Sequence, residues 1–150
     1  MEFSAAGLEL LKKCEGFRAR TYMDACGFPT IGYGHRLLYL GSYADGIDEP
    51  HAALVLACDV RDAENDVRRM VKVPLTQGQF DALVDFVFNM GTGRLAGSTL
   101  LKDLNAKQYD AAAEQLKLWD HGLVDGKEAE LPGLKARRLA EFDLWHGGAA

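Results

Sequence analysis

EGFRARTYMDACGFPTIGYGH, residues 15–35, is the stretch of the chain that decides its fold. Within it, residues 17–22 alternate as a strand does, residues 24–27 are typical of a turn, and residues 28–33 predict a second, returning strand. Glu15 is expected at the end of a helix, because the glycine that follows it is a typical helix stop. The stretch therefore predicts a helix end followed directly by a hairpin.

Residues 4–15 form the predicted first helix. Ser4 is a suitable N-cap, and the apolar residues Leu8, Leu11 and Cys14 recur at helical spacing. These three apolar positions define the inward face that we expect for this helix.

A helical pattern replaces the strand pattern after residue 47. One long helix is predicted to end before Pro74. Thr76 and Gln79 form a capping box, which predicts that the next helix begins there and stops near Gly91.

Three shorter helices complete the prediction, over residues 98–105, 108–121 and 134–145, with a polar loop over residues 122–131. A hairpin followed by helices predicts the α+β class, with a small N-terminal β-hairpin lobe packed against a mostly α-helical lobe. The length of 150 residues suits a single domain over residues 1–150.

Composition and charge exclude several classes of function. The net charge is −5, which argues against nucleic acid as a partner. No apolar run approaches the roughly 18 residues of a membrane span, and the N-terminus does not begin as a signal peptide does. We therefore expect no integral membrane segment and a protein that stays in the cytoplasm.

The cysteines are three, Cys14, Cys26 and Cys58, and they include no CxxC pair. This pattern argues against a zinc site and against a disulfide framework. We expect three reduced thiols that behave as small apolar side chains.

Glu15, Asp24 and Thr30 are the residues of the opening stretch that could carry chemistry. Hydrolysis of a glycosidic bond requires a protonated carboxyl group on one face of the sugar and a group that handles water on the other. A helix end packed beside a hairpin could place these two groups on opposite faces of the sugar. Two carboxylates at this spacing are also common as solvated surface charges.

The stretch resembles the signature of the phage lysozymes of glycoside hydrolase family 24. The residues that carry the resemblance are Glu15, Gly16, Arg18, Tyr22, Asp24, Gly27, Thr30, Ile31, Gly32, Gly34 and His35. The similarity continues in later segments, which are Leu75-Thr76, residues 79–83, 88–91 and 98–101, Gly133-Leu134 and Arg137-Arg138. It covers nearly the whole chain.

The resemblance implies a lysozyme-like fold with the active-site cleft between its two lobes. It also implies hydrolysis of the β-1,4 bond between N-acetylmuramic acid and N-acetylglucosamine in peptidoglycan, without a metal or other cofactor. Glu15 would protonate the leaving oxygen, while Asp24 and Thr30 would position the attacking water and stabilise oxocarbenium character. Because a hydroxyl suits water binding better than a retaining scheme, we expect inversion.

The biological role that the resemblance implies is that of an endolysin, which lyses the host cell and frees progeny phage. Such a protein is expected to be a monomer that acts on peptidoglycan glycan strands. It would remain in the host cytoplasm until a holin opens the membrane, and would then reach the peptidoglycan in the periplasm.

Four further residues are assigned to substrate binding. Asn89 and Gly91 are candidates because a polar residue ends an apolar helix there. Arg137 and Arg138 could be an ordinary exposed basic patch. The resemblance implies instead that they belong to the site and that one of them hydrogen-bonds Glu15.

His35 is assigned a structural role near the site, in preference to that of a general base. We expect it to pair with a carboxylate such as Asp59 on the long helix. The remaining histidines show no metal-ligand spacing and are expected at the surface: His51, His121 and His146.

Two rival classes of function stay open. A binding module would keep the fold without catalysis, but the intact Glu15, Asp24 and Thr30 argue against it. The lytic domain of a bacteriocin would need receptor and translocation domains, for which 150 residues leave no room. Redox control through Cys14 and Cys26, as in some secreted members of the family, is the less favoured hypothesis, because those members carry an N-terminal membrane segment.

Overall fold

The structure is a computed structural model that describes residues 1–24, 27–39, 41–124 and 126–148. The chain divides into two compact units. One, which we call the hairpin unit, is Leu11–Arg61, and the other, the helical unit, consists of Met1–Leu10 and Asp62–Ala150. Helices and small antiparallel sheets make up the two units, so the predicted α+β class is confirmed.

The first helix, α1, runs over Ala5–Glu15. Ser4 caps it as predicted, because its Oγ accepts a hydrogen bond from the backbone N–H of Gly7 at 3.3 Å. The helix ends as expected at Gly16, which has a φ of +71° and donates its N–H to the carbonyl of Lys12.

The inward face predicted for α1 is partly wrong. Leu10 and Leu11 are its buried leucines, whereas Cys14 is exposed. The buried stripe passes through Gly7, where a Cβ atom would lie 2.5 Å from the ring of Phe3. A pattern of apolar side chains gives no weight to a glycine, so the prediction missed this buried position.

The hairpin unit is built on a three-stranded antiparallel sheet. Its strands lie in the order β1 (Arg18–Met23), β2 (Pro29–Gly32) and β3 (His35–Arg36). The register between β1 and β2 shifts between Arg18 and Tyr22, as a β-bulge does, and β1 is exposed along most of its length. The sheet is therefore a twisted ribbon whose second strand carries the buried residues.

The core of the hairpin unit lies between β2 and the first half of α2, which runs over Glu49–Met70. Gly32 has a φ of +65°, and a Cβ atom there would lie 3.1 Å from that of Ala52. Glycine thus allows strand and helix to approach closely. The buried apolar residues of this unit are Leu11, Ile31, Tyr33, Leu37, Ile47, Ala52, Leu56 and Val60.

The helical unit contains the remaining elements. These are α3 (Gln77–Met90), α4 (Thr92–Ala96), α5 (Thr99–Asn105), α6 (Tyr109–Leu116), β4 (His121–Val124), β5 (Lys127–Glu130) and α7 (Pro132–Trp145). The capping box of Thr76 and Gln79 is present at the start of α3, as predicted. Helix α3 is buried over most of its length and packs against α7.

The prediction for residues 108–131 is wrong in its second half. Helix α6 ends at Leu116, and the segment expected to be a loop forms the antiparallel hairpin of β4 and β5. Gly126 supplies the positive φ of +76° that a tight hairpin turn requires. At Gly122 a Cβ atom would lie 2.6 Å from the Leu131 side chain, so this glycine lets the strand pass close to the start of α7.

Among the helices that the structure describes, none combines the length and the apolar character needed to cross a bilayer.

Candidate active site

Glu15 is the last residue of α1 and lies against the turn that joins β2 to β3. Its Oε2 is 3.5 Å from the place where a Cβ atom of Gly34 would stand, and Gly34 has a φ of +86°. The turn therefore adopts a left-handed conformation that favours glycine directly beneath the carboxyl group. Glu15 itself is half-buried.

Asp24 and Thr30 are joined through the main chain of Phe28. The Phe28 N–H donates to Asp24 Oδ1 at 2.8 Å, and the Asp24 N–H donates to the Phe28 carbonyl at 2.9 Å. The hydroxyl of Thr30 donates to that same carbonyl at 3.0 Å. The loop thus fixes both predicted site residues to one peptide.

The direction of the Thr30 hydrogen bond limits what its hydroxyl can do. A hydroxyl has one proton to donate and two lone pairs that accept. Because the proton is given to the Phe28 carbonyl, Thr30 can only accept a hydrogen bond from a further group. The side chain is 2 % exposed, so its direction is held firmly by the surrounding core.

Arg36 is a neighbour of Asp24 that the sequence analysis missed. Its Nη2 lies 3.1 Å from Asp24 Oδ2, and its guanidinium stacks over the Phe28 ring, 4.5 Å from the centroid. No pattern in the sequence singles out this residue, because the contact depends on how β3 pairs with β2.

His35 pairs with Asp59 as predicted, with Nδ1 at 2.9 and 3.1 Å from the two carboxylate oxygens. A second contact of the same kind joins the Tyr33 hydroxyl, as donor, to Glu49 Oε1 at 2.7 Å. Both contacts fix the segment after β2 to α2, which fits the structural role expected of His35. The other three histidines, His51, His121 and His146, are exposed as predicted.

Arg137 and Arg138 lie on α7 in the helical unit and are 6 % and 0 % exposed. Their burial contradicts the alternative hypothesis that they form an exposed basic patch. Arg137 binds Asp85 on α3 through two hydrogen bonds, Nε to Oδ2 at 2.7 Å and Nη2 to Oδ1 at 3.1 Å. Arg138 donates from Nη2 to Glu141 Oε1 at 2.7 Å and to Asn89 Oδ1 at 2.9 Å.

Arg138 is 0 % exposed and holds Asn89 from within the core of the helical unit. The substrate contact expected of Arg138 stays a prediction. Asn89, which Arg138 holds, is half-buried, and Gly91, with a φ of +87°, is exposed. Among the four residues predicted to bind substrate, Asn89 and Gly91 have the larger accessible surface.

Asp85 and Glu141 complete a buried charge cluster with the two arginines, and the sequence analysis missed both. Burial raises the pKa of the Glu141 carboxyl well above its usual range, and the hydrogen bond and charge of Asp85 add to this effect, while the arginines oppose it. A sequence signal existed for Asp85, because a carboxylate inside the apolar run of α3 needs a partner when it is buried.

The sequence analysis expected cysteines that behave as small apolar side chains, and the structure places Cys14 and Cys58 at the surface. Cys26 lies outside the described residues, and so does the proposed pairing of Cys14 with it. Within the described part of the chain, no three His, Cys, Asp or Glu side chains gather in an arrangement that could hold a metal ion.

Comparison with known proteins places the chain in a family. The family model described as phage lysozyme matches residues 12–141. An endolysin of Acyrthosiphon pisum secondary endosymbiont phage 1 is 40 % identical over 146 residues, which is 97 % of this chain and 98 % of the relative.

Two solved structures resemble the chain over nearly its full length. The endolysin from Escherichia coli O157:H7 phage FAHEc1 has a TM-score of 0.87 and 35 % identity, and covers 97 % of this chain and 93 % of its own. The muramidase domain of SpmX from Asticaccaulis excentricus has a TM-score of 0.89 and 33 % identity, and covers 96 % and 97 %.

The chain is thus a glycoside hydrolase with a lysozyme-like α+β fold, and it belongs to the phage lysozyme family. The similarity that the sequence analysis found in residues 15–35 and in the later segments is confirmed.

The buried charge cluster predicts a large structural effect of Arg138→Met. The change leaves Glu141 buried without its closest cation and frees Asn89, so we expect the free energy of unfolding to fall by about 3–5 kcal/mol. Urea denaturation followed by circular dichroism measures this. Lys135→Met is the matched control on α7, because its ion pair with Glu130 is exposed and should contribute almost nothing. Equal midpoints for the two variants would contradict the prediction.

Proposed function

We propose that the protein is an endolysin that hydrolyses the β-1,4 bond between N-acetylmuramic acid and N-acetylglucosamine, with Glu15, Asp24 and Thr30 as its catalytic residues. The observation that carries the assignment is the main chain of Phe28, whose N–H donates to Asp24 Oδ1 and whose carbonyl accepts from the Thr30 hydroxyl, so that both side chains are held at the end of one hairpin. Membership of the phage lysozyme family supports the substrate class.

The proposed reaction is a single displacement by water. The Glu15 carboxyl gives its proton to the glycosidic oxygen, and the bond between that oxygen and the anomeric carbon breaks. Thr30 Oγ accepts one hydrogen of the attacking water and Asp24 accepts the other, so a lone pair of the water points at the anomeric carbon. As the new bond forms, the proton on the Asp24 side passes to that carboxylate.

Asn89 and Gly91 are proposed as substrate-binding residues. Because Arg138 donates to Asn89 Oδ1, the amide of Asn89 is fixed with its NH₂ group available to donate. Such a group suits an acetamido carbonyl or a hydroxyl of the sugar. Arg138 thus orients Asn89, and both Arg137 and Arg138 stay candidate substrate-binding residues.

The biological role that we propose follows from the relatives called endolysins. The protein accumulates in the host cytoplasm as a monomer, depends on a holin for access, and degrades peptidoglycan once it reaches the periplasm.

Glu15→Gln is expected to abolish lysis without affecting folding. The amide keeps the shape of the side chain and has no proton to give, so turnover should fall by roughly 10²–10⁴-fold. Clearing of Gram-negative cells expressing the protein, recorded before and after a membrane-permeabilising agent is added, measures this. Wild-type cells should clear only after the addition, and the E15Q cells should not clear.

The control for this experiment is Glu9→Gln, which changes an exposed carboxylate of the same helix and should clear as the wild type does. Lysis by a folded E15Q protein within a few-fold of wild type would refute Glu15 as the acid. Spontaneous lysis of wild-type cells would refute the dependence on a membrane opening.

Thr30→Val tests whether the hydroxyl accepts a hydrogen bond from the attacking water. The two side chains have the same shape, but valine offers no acceptor, so kcat should fall by up to about 100-fold. Thr30→Ser restores the oxygen and should recover most of the rate. The rates are measured as release of reducing ends from purified peptidoglycan, and equal activity of the valine and serine variants would contradict the proposal.

The stereochemistry of the product tests the single displacement. Attack by a water opposite the leaving group inverts the anomeric carbon, so the α-anomer should be released first from the β-linked glycan. Proton NMR of the fresh reducing end, read before mutarotation, distinguishes the anomers. Early β-anomer, or a glycosyl adduct trapped on Asp24, would show that Asp24 is a nucleophile instead.

A further inference from the structure

Arg36 is tied to the proposed catalytic pair by contacts from two directions. Its Nη2 lies 3.1 Å from Asp24 Oδ2, and its guanidinium stacks on the Phe28 ring at 4.5 Å. Phe28 in turn holds the other carboxylate oxygen, because its N–H donates to Asp24 Oδ1 at 2.8 Å. Carboxylate, backbone amide, ring and guanidinium therefore form a closed circuit.

The register between β2 and β3 determines where Arg36 and Thr30 lie. Arg36 on β3 pairs with Thr30 on β2, and paired residues in antiparallel strands point to the same face of the sheet. The same strand pair thus sets the position of the Thr30 hydroxyl and the point from which the Arg36 side chain reaches Asp24. A shift of this register would move both together.

We propose that Arg36 is a positioning residue that orients the Asp24 carboxylate and keeps it ionised for its role toward the attacking water. The proposal rests on the proposed function of Asp24. With Oδ1 held by an amide and Oδ2 by a guanidinium, the carboxylate plane is fixed from both sides. A cation at hydrogen-bond distance also opposes protonation of the carboxylate.

Three other ionisable groups of the hairpin unit have contacts of their own. Tyr22 on β1 lies under the Arg18 guanidinium at 4.3 Å, His35 on β3 pairs with Asp59 on α2, and Glu15 lies against the glycine turn. Arg36 forms an ion pair with Asp24. Its side chain is 58 % exposed and that of Asp24 is 19 % exposed, so solvent screens part of the effect.

The test compares Arg36→Gln with Arg36→Lys, using kcat on purified peptidoglycan from pH 3 to pH 8. The glutamine variant loses the charge, so the acid limb of its profile should move up by about 0.7 pH units, which corresponds to a fivefold change in the protonation equilibrium. Its plateau should fall by about fivefold, the upper end for an exposed pair. The lysine variant keeps the charge, and its acid limb should coincide with that of the wild type.

Arg18→Gln is the matched control, because Arg18 also stacks on a ring of this sheet and is not paired with a carboxylate in the described structure. Its acid limb should stay in place. An unshifted limb for Arg36→Gln, or an equal shift for the two glutamine variants, would overturn the proposal. Should Arg36→Gln fail to fold, Arg36→Met, which also removes the charge, takes its place, and its acid limb must move upward.

Asp24→Asn separates this proposal from the function on which it rests. If the variant retains turnover, both the proposed role of Asp24 and the role of Arg36 are refuted. If it is inactive and the limb of Arg36→Gln is unshifted, only the role of Arg36 is refuted. An inactive variant together with a shifted limb supports both.

Discussion

The carbonyl of Phe28 accepts hydrogen bonds from the backbone N–H of Asp24 and from the hydroxyl of Thr30. The proposed chemistry depends on that single acceptor. A loop that presents two side chains to one water molecule must fix both residues to the same rigid group, and a planar peptide group is rigid enough for this. The hydrogen bond from Thr30 to this carbonyl also determines how the hydroxyl can act, because it leaves the hydroxyl only as an acceptor. The position of the Thr30 hydroxyl and the direction of its hydrogen bonds are therefore both set by the Phe28 carbonyl.

The two units satisfy their polar groups in different ways. In the hairpin unit, partly exposed pairs such as His35 with Asp59 hold a short, glycine-rich segment against a helix. In the helical unit, four charged side chains are buried together between α3 and α7, and their ion pairs with one another offset part of their desolvation. The first arrangement tolerates adjustment of a loop, whereas the second requires a unique packing of the two helices.

Local signals made much of the fold predictable. The capping box at Thr76 and the pairing of His35 with Asp59 follow from residue types at short spacing or from the family resemblance, and both are confirmed. The β4–β5 hairpin was missed because its strands have only four residues each and β5 is polar, and its pairing becomes favourable only with the tight turn at Gly126. The roles of Arg36 and Arg138 depend on contacts between distant elements, which a linear pattern does not contain.

The link between Asp24 and Thr30 uses only the main chain of residue 28, and this leaves the side chain there unconstrained by it. The phenyl ring is 49 % exposed and touches the guanidinium of Arg36. A substitution at this position would therefore leave the main-chain hydrogen bonds in place and remove only the ring on which the guanidinium stacks. For protein engineering, residue 28 is a site at which the support of Arg36 could be varied independently of the backbone of the hairpin.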